Sequence, residues 1–393
     1  MQNILTLLEE ATNGTSHKSF QYCADEELKF PTLNYDSQSF TILKDKYGET
    51  DTTLKTTKSL KNFAVKIANQ KPLFQFFLDG SRRTYKVDDF ELNNRIFPIM
   101  AGQIGVACCE RQTPSKFHSK ELERSLVIVL PTEANPETRN NDLFSNNLKD
   151  KINNVERVKK SGLQFSKVLN YSSKVSQEVT DLKYENLGVA AIQDEMVNSE
   201  KKIVSNLTTK NLLREDSYLV KDGSLQYKPM KTGDYKELSK IKNNYRWVVG
   251  VSKQFNPEFS KGKNNKSNAA TLAKLPLYHR TPAYMFQHDR EKWSYLGDYT
   301  YSVWYVRIRE AKYTESPFAG IVKIEKILIT ENEIENGLES DLVDLISANI
   351  INERNPVCYG RDSRWANHLY PVYLTEQFLK SQYLSDIHFL NLF

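Results

Sequence analysis

Two aspartates close apolar segments in the same local pattern, and their carboxylates are candidates for metal chemistry. Asp79 ends FQFFLD and Asp222 ends SYLVKD, and a Gly-Ser pair follows each of them. A carboxylate at the end of a buried strand, followed by a flexible glycine, can present an oxygen ligand to a cation without moving the backbone. Two such strands side by side could therefore bind one or two metal ions.

The same pattern has a simpler interpretation, because Asp-Gly is also among the commonest turn dipeptides. For a single copy the turn would be the better interpretation. Two copies, both after long apolar segments, favour a site. A turn and a ligand are compatible, so the turn interpretation still fits both positions.

A third carboxylate falls inside the apolar face of a predicted helix. Ile192, Met196, Ile203 and Leu207 follow a 3.6-residue period, and Glu200 belongs to the same stripe. A core-facing acid is costly unless something pairs with it, and a metal would do so. Two alternatives stay open: the buried face of the helix ends early, or Glu200 pairs with a lysine or arginine.

The ligand types favour Mg²⁺ or Mn²⁺ over zinc, since the sequence offers carboxylates, only six His and no Cys-x-x-Cys pair. Such ions position a water, lower its pKa and neutralise charge that develops on a phosphate, which is the chemistry of phosphodiester hydrolysis. No nucleophilic Ser or Cys is then needed. The four cysteines are too few and too irregular for a disulfide framework and are expected to be reduced; they are Cys23, Cys108, Cys109 and Cys358.

The elements that must position these acids follow from hydrophobic periodicity. Strand signals occur in LFQFFLDGSRRTYKV, FPIMAGQIGVACCER and SLVIVLPTE, and they return in SYLVKDGSLQY, YRWVVGVSKQF, YTYSVWYVRI and AGIVKIEKILI. Between the two groups, at about 137–215, a polar Lys/Glu-rich segment has helical spacing, and the chain closes on two more helical segments. We therefore predict an α/β fold with a mixed central sheet flanked by helices, preceded by an N-terminal arm or small subdomain over 1–65.

Composition sets wide bounds on function. Hydrophobic residues make up 39% of the 393 residues and charged residues 26%, so a packed interior is expected and general disorder is not. The net charge of +5 permits a polyanionic partner without demanding one. No apolar run of about 18 residues and no signal peptide is evident, which predicts a cytoplasmic protein without a membrane segment.

In this order the motifs resemble the NurA family of nucleases, whose core is an RNase H-like fold related to the PIWI domain. The likeness lies in FFLDGSRR, the helix with Glu200, LVKDGSL, WVVGVSK, VWYVRI, GIVKIEK and HLYPVYLTEQF, over roughly 70–385. The resemblance implies that residues 66–393 form the nuclease domain, with the helical segment as an insertion. It also implies that Asp79, Glu200 and Asp222 are metal ligands and that Tyr370 is the family's C-terminal active-site tyrosine.

One position departs from the family pattern, which expects a histidine eight residues after that tyrosine. This chain has Phe378 there. Either His368 substitutes for the missing ligand in space, or the ligand is absent and the site is weaker. A lone histidine is also commonly a packing residue.

Several lysines are candidates for nucleic-acid contacts. Lys253 ends the apolar segment WVVGVSK and could contact a phosphate as a point charge, although a lysine at a strand end can equally reach solvent. Lys261, Lys263 and Lys266 lie in a basic segment, SKGKNNKSN, that could follow a nucleic-acid backbone or simply be solvated.

The resemblance implies a metal-dependent exonuclease that acts on DNA ends and has single-strand endonuclease activity. It further implies a homodimer that works with a hexameric HerA-like ATPase as its motor. The sequence has no Gly-x-x-x-x-Gly-Lys-Ser/Thr motif, so translocation would depend on that partner. The role would lie in DNA end repair or antiviral defence, and the insertion and the N-terminal arm favour defence.

Two other functional classes remain open. A catalytically inactive, nucleic-acid-binding scaffold subunit of the same fold is favoured by Phe378, whereas clustered carboxylates without a metal would repel one another. A PIWI-like, guide-dependent nuclease is less favoured, because nothing in the sequence resembles the additional guide-binding domains.

Overall fold

The computed structural model describes residues 3–17, 21–23, 41–135, 141–172, 183–227, 235–257, 267–288, 299–314, 316–355 and 365–393. Fourteen strands in these ranges form a single mixed sheet, and helices flank it. The strands are β1 (Thr15–Ser16), β2 (Tyr22–Cys23), β3 (Thr41–Tyr47), β4 (Lys58–Ser59), β5 (Phe74–Leu92), β6 (Arg95–Thr113), β7 (Lys116–Pro131), β8 (Phe165–Tyr171), β9 (Tyr218–Asp222), β10 (Val248–Ser252), β11 (His279–Arg280), β12 (Tyr284–His288), β13 (Thr300–Arg307) and β14 (Ile321–Leu328). The α-helices are α1 (Ile4–Thr12), α2 (Lys61–Ile67), α3 (Asn141–Asn153), α4 (Glu156–Ser161), α5 (Lys183–Thr209), α6 (Tyr235–Asn244), α7 (Ala269–Ala273), α8 (Glu331–Asn336), α9 (Ser340–Asn352), α10 (Tyr370–Lys380) and α11 (Asp386–Leu390).

The middle of the sheet contains three parallel strands. The main strand order is β3-β12-β13-β14-β10-β9-β5-β6-β7-β8, and β9 runs parallel to both of its neighbours, β5 and β10. Antiparallel pairs join β5 to β6, β6 to β7 and β10 to β14. The carboxyl ends of parallel strands meet at one edge, so residues that end β9 and β10 lie close together. The predicted mixed sheet with flanking helices is confirmed, and its RNase H-like character stays a prediction.

The two Asp-Gly-Ser segments differ in local structure. Asp222 is the last residue of β9, and Gly223 follows with a φ of +85°, a conformation that favours glycine. Asp79 instead lies inside β5, where Gly80 pairs with Val106 of β6. The expectation of a strand end or turn is therefore correct at Asp222 and wrong at Asp79, because β6 continues the pairing after β9 has stopped.

Helices cover the two faces of the sheet. On one face α5 packs its apolar stripe into the core, and Ile192, Met196, Ile203 and Leu207 are buried as predicted. On the other face α2, α9 and α10 pack on a second core, which contains Phe77 of β5. No helix in the described ranges is long and apolar enough to cross a membrane.

The segment at 137–215 is mostly helical but contains an edge strand. Residues 165–171 form β8, parallel to β7, and not the helix that we expected there. Phe165, Val168 and Tyr171 are the buried residues of β8, and their spacing of three imitates a helical period. The pairing partner, β7, could not be read from that local pattern.

The described parts of residues 1–65 join the same sheet. The short strands β1 and β2 pair with β5, β3 pairs with β12, and β4 pairs with β11. This segment therefore contributes strands at three places in the sheet.

Candidate functional site

The register of the parallel strands brings the two aspartates together. Phe77 and Leu78 of β5 pair with Val220 and Lys221 of β9, so the next residue of β5, Asp79, lies beside the end of β9. On the other side of β9, Asp222 pairs with Val251 of β10. Lys253 follows two residues later and lies on the same face of the sheet. Three adjacent strands thus converge on one place.

Lys253 is the central cation of this group. Its side chain is buried, and Nζ lies 3.0 Å from Oδ2 of Asp222 and 3.0 Å from Oε2 of Glu376. His368 is also buried here, with Nδ1 3.5 Å from the same nitrogen. Asn367 fixes this end of β10, because its side-chain amide donates to the backbone carbonyl of Lys253 at 2.7 Å.

Glu376, on α10, is a site residue that the sequence reasoning missed. Its second oxygen accepts a hydrogen bond of 2.7 Å from Nζ of Lys380. Burial alone would raise the pKa of Glu376, but the charges of Lys253 and Lys380 outweigh burial and bring the pKa to about 2. Glu376 is therefore an ionised carboxylate beside Asp222.

A signal for Glu376 was present in the sequence. Val372 and Leu379, at i−4 and i+3, are both buried, so Glu376 is a core-facing acid of the kind already noticed at Glu200. The family pattern directed attention instead to Phe378, which is only partly buried. Residues two positions apart in a helix are related by a rotation of about 200° around the helix axis, so positions 376 and 378 face nearly opposite sides of α10.

Asp79 is the carboxylate without a partner. It is 5% exposed and makes no hydrogen bond or ion pair with any residue in the described ranges. Burial raises its pKa well above the usual value, and the negative charge of Asp222 raises it further, against the opposing effect of Lys253. A buried, unpaired acid next to other acids is destabilising, and such groups concentrate at functional sites.

Glu200 reaches the strands from the opposite face. A Cβ added at Gly80 would lie 2.5 Å from Oε1 of Glu200, so Gly80 lies on the face of β5 that packs against α5. Asp79, one residue earlier in the strand, faces the other side. Oε2 of Glu200 lies 3.0 Å from Nζ of Lys221, which confirms the alternative that a lysine pairs with this acid. Burial nevertheless raises the pKa of Glu200.

A further buried acid holds the turn that follows Asp222. Oε2 of Glu325, on β14, accepts hydrogen bonds of 2.7 Å from Oγ of Ser224 and 2.7 Å from the backbone N–H of Leu225. The side chain of Gln226 donates to Oε1 at 2.8 Å, and Lys323 lies 2.5 Å from that oxygen. Burial would raise the pKa of Glu325, but these partners lower it overall. The turn is thus anchored to β14 of the same sheet.

The remaining predicted residues lie elsewhere or outside the described ranges. Tyr370 begins α10, where its ring packs edge-on against Phe117 with centroids 6.4 Å apart. In the described residues its hydroxyl forms no hydrogen bond with the acids. The three lysines of the predicted basic segment lie outside the described ranges; they are Lys261, Lys263 and Lys266.

The donor set suits a hard divalent cation, but ammonium groups now balance the acids. Asp79, Asp222 and Glu376 offer only oxygen ligands, and the unpartnered carboxylate of Asp79 is a group that a cation would stabilise. Within the described ranges, no three His, Cys, Asp or Glu side chains are grouped closely enough to hold a metal ion. Two of these acids have lysine partners instead: Asp222 pairs with Lys253, and Glu200 pairs with Lys221.

Comparisons with known proteins give only distant likeness. No family model matches the sequence, and no curated protein matches it. Among solved structures, the chain is similar to the NurA nuclease from Sulfolobus solfataricus, with 9% sequence identity over 85% of this chain and 90% of that chain, at a TM-score of 0.37. A TM-score this low does not establish a common fold, so any functional assignment depends on the site itself.

Proposed function

We propose that the chain is a metal-dependent nuclease that hydrolyses phosphodiester bonds of DNA. The observation that carries this proposal is the buried, unpartnered carboxylate of Asp79 beside Asp222 and Glu376. Lys253 balances part of the charge of Asp222 and Glu376, but Asp79 stays a buried acid whose pKa is raised by burial and by the charge of Asp222. A divalent cation would make the arrangement favourable.

In this proposal the side chains of Asp79, Asp222 and Glu376 move together to hold Mn²⁺ or Mg²⁺, because in the described ranges no three such groups already lie closely enough to do so. When bound, such an ion supplies an activated water and neutralises charge on the phosphate. Lys253 and His368 line the same place and supply a positive charge and a ring nitrogen for orienting a phosphate oxygen. The predicted roles of Glu200 and His368 as metal ligands and of Tyr370 in orienting the phosphate stay predictions that the same assay can examine.

The test is degradation of end-labelled single- and double-stranded DNA in Mn²⁺, Mg²⁺ or EDTA. Wild-type protein is expected to degrade DNA only with metal. The rate of DNA degradation should fall about a hundredfold or more in each of three variants, Asp79→Asn, Asp222→Asn and Glu376→Gln. Removal of one group that acts in the chemical step has an effect of this size. Asp216→Asn, at an exposed acid six residues before Asp222, is the matched control and should keep full activity. Wild-type protein that degrades no DNA with either metal would refute the proposal.

A second candidate is a catalytically inactive subunit that binds nucleic acid. The observation that favours it is the pairing of Asp222 and Glu376 with Lys253 and of Glu200 with Lys221, which balances most of the acid charge without a metal. DNA binding that is equal in EDTA and in Mn²⁺, without cleavage, would support this candidate over the nuclease.

The resemblance extends the proposal to assembly. We propose a homodimer that acts with a hexameric HerA-like ATPase, in DNA end repair or antiviral defence. Co-expression with such an ATPase, followed by size-exclusion chromatography with light scattering, tests both statements. A chain that stays monomeric and elutes apart from the ATPase would contradict them and leave the nuclease proposal intact.

A further inference from the structure

Lys253 forms ion pairs with two carboxylates at the same time. Its ammonium group lies at 3.0 Å from both Asp222 and Glu376, in a buried position. Glu376 also has Lys380 as a partner, so its charge does not depend on Lys253 alone. The notable feature of Lys253 is therefore that it bridges an acid of β9, Asp222, and an acid of α10, Glu376.

The oxygens that Lys253 contacts include those that a divalent cation would need. Asp79 would be the third acid of the set; burial and the charge of Asp222 raise its pKa, and the charge of Lys253 acts against that rise. A lysine side chain ends in a compact charge on a flexible four-carbon stem, so it can move away while the backbone of β10 stays in place. The Asn367 amide holds that backbone at the Lys253 carbonyl.

We propose that Lys253 is a built-in counter-ion that competes with the metal for Asp222 and Glu376. Metal binding releases the ammonium group from both acids and leaves it beside the metal site, where a phosphate would bind. This inference rests on the proposed function, because it supposes a divalent cation at Asp79, Asp222 and Glu376. Its consequence is that Lys253 weakens metal affinity in the protein without substrate.

The test is direct Mn²⁺ binding to the full-length protein without DNA, measured from the electron paramagnetic resonance signal of free Mn²⁺. Lys253→Met removes the competing charge and keeps a long apolar side chain. It should tighten the Kd for Mn²⁺ about tenfold or more, the scale of a charge-assisted hydrogen bond. Lys253→Arg keeps the charge and should not tighten the Kd. Lys71→Met, at an exposed lysine that pairs with Asp216, should leave the Kd unchanged.

A second readout guards against misfolding of the variant. In EDTA, Lys253→Met should unfold at a lower temperature than wild type, because two acids lose a shared partner, and saturating Mn²⁺ should remove the difference. If Lys253→Met does not fold, Lys253→Gln supplies a neutral hydrogen-bond donor and should show the same tightening.

The outcomes separate the two proposals. Wild type that binds Mn²⁺ while the neutral variants bind equally or more weakly would overturn the counter-ion and leave the nuclease proposal standing. Neutral variants that bind when wild type does not would support the counter-ion and favour the non-catalytic candidate for the wild-type chain. Absence of binding in wild type and in both neutral variants would overturn the metal site and the counter-ion together.

Discussion

Asp79 and Asp222 each begin an Asp-Gly-Ser tripeptide, but their electrostatic environments differ. Asp222 ends its strand within 3.0 Å of Lys253, whereas Asp79 lies within a continuing strand and has no partner in the described ranges. The difference follows from strand pairing, since β9 stops where β5 continues. Asp79 is therefore the residue at which function and stability should conflict most directly.

We expect Asp79→Asn to stabilise the protein in EDTA at neutral pH. An acid whose pKa is raised on folding holds its proton more tightly in the folded state, so the free energy of unfolding falls as pH rises from about 4 towards the raised pKa. Asparagine does not ionise, so the variant does not lose this part of the free energy of unfolding. The midpoint of thermal unfolding at pH 7.5 should rise by about 2 °C or more, and the gain should shrink as pH falls towards 4.

The control for this prediction is Asp216→Asn. Asp216 is exposed, and hydrogen bonds from Lys71 and Arg214 lower its pKa, so its substitution should bring no gain in stability at neutral pH. An Asp79→Asn variant that is less stable than wild type at pH 7.5 would show that the carboxylate has a stabilising partner.

The close contact between β5 and α5 depends on a glycine. A Cβ at Gly80 would lie 2.5 Å from the Glu200 carboxylate and 3.2 Å from Cγ of Met196. We expect Gly80→Ala to displace Glu200 from Lys221 and to destabilise the protein by about 1–3 kcal/mol, the usual cost of overpacking. Chemical denaturation and the DNA degradation assay would measure the two effects.

The matched control is Gly102→Ala on β6. A Cβ there would lie 3.0 Å from Ile192 on the same helix, in a contact with no acid. Both substitutions push α5 away from the sheet, but only Gly80→Ala moves a carboxylate. Equal losses of activity in both variants would assign the effect to helix packing and not to Glu200.

The buried acid of β14 acts on the site through the turn after Asp222. Glu325→Ala removes the acceptor for Ser224, Leu225 and Gln226 and should lower the free energy of unfolding by about 3 kcal/mol or more. Glu325→Gln keeps one carbonyl acceptor and should lose less. Mn²⁺ binding should weaken in the same order, because a looser turn releases Asp222. Unchanged binding in both variants would mean that β9 alone fixes Asp222.

The sequence predicted elements better than it predicted their pairing. Alternation and apolar segments identified β9, β10, β13 and β14, and helical spacing identified α5 with Glu200 facing inward. The parallel register beside Asp79 joins segments about 140 residues apart, and no local pattern contains it. Glu376 carried a usable local signal, but the place it would face depended on how α10 packs on the sheet.

A buried ion-pair network connects the N-terminal segment to the rest of the sheet. Glu49 follows β3 and accepts two hydrogen bonds of 2.8 Å from the guanidinium of Arg280 in β11. The same guanidinium donates to Asp344 of α9 at 2.6 Å, and Lys58 of β4 also reaches Asp344. Glu49 further accepts the backbone N–H of Ala283 at 2.8 Å. One arginine thus joins segments from three distant parts of the chain.

We expect Glu49→Ala to destabilise the whole protein and not only its N-terminal segment. Both Glu49 and Arg280 are 0% exposed, so the substitution leaves a buried guanidinium with one carboxylate in place of two. Removing one partner of a buried pair costs about 3–5 kcal/mol. Because β3 and β4 belong to the common sheet, circular dichroism and tryptophan fluorescence should report one shared transition at a lower temperature. The fluorescence is measured with the other three tryptophans replaced by Phe, so that it reports on Trp304, which is buried against α9. Asp216→Ala, which breaks an exposed pair with Lys71, should leave that transition in place. An early transition in Glu49→Ala that leaves the Trp304 signal unchanged would instead show that residues 1–65 fold as a separate subdomain.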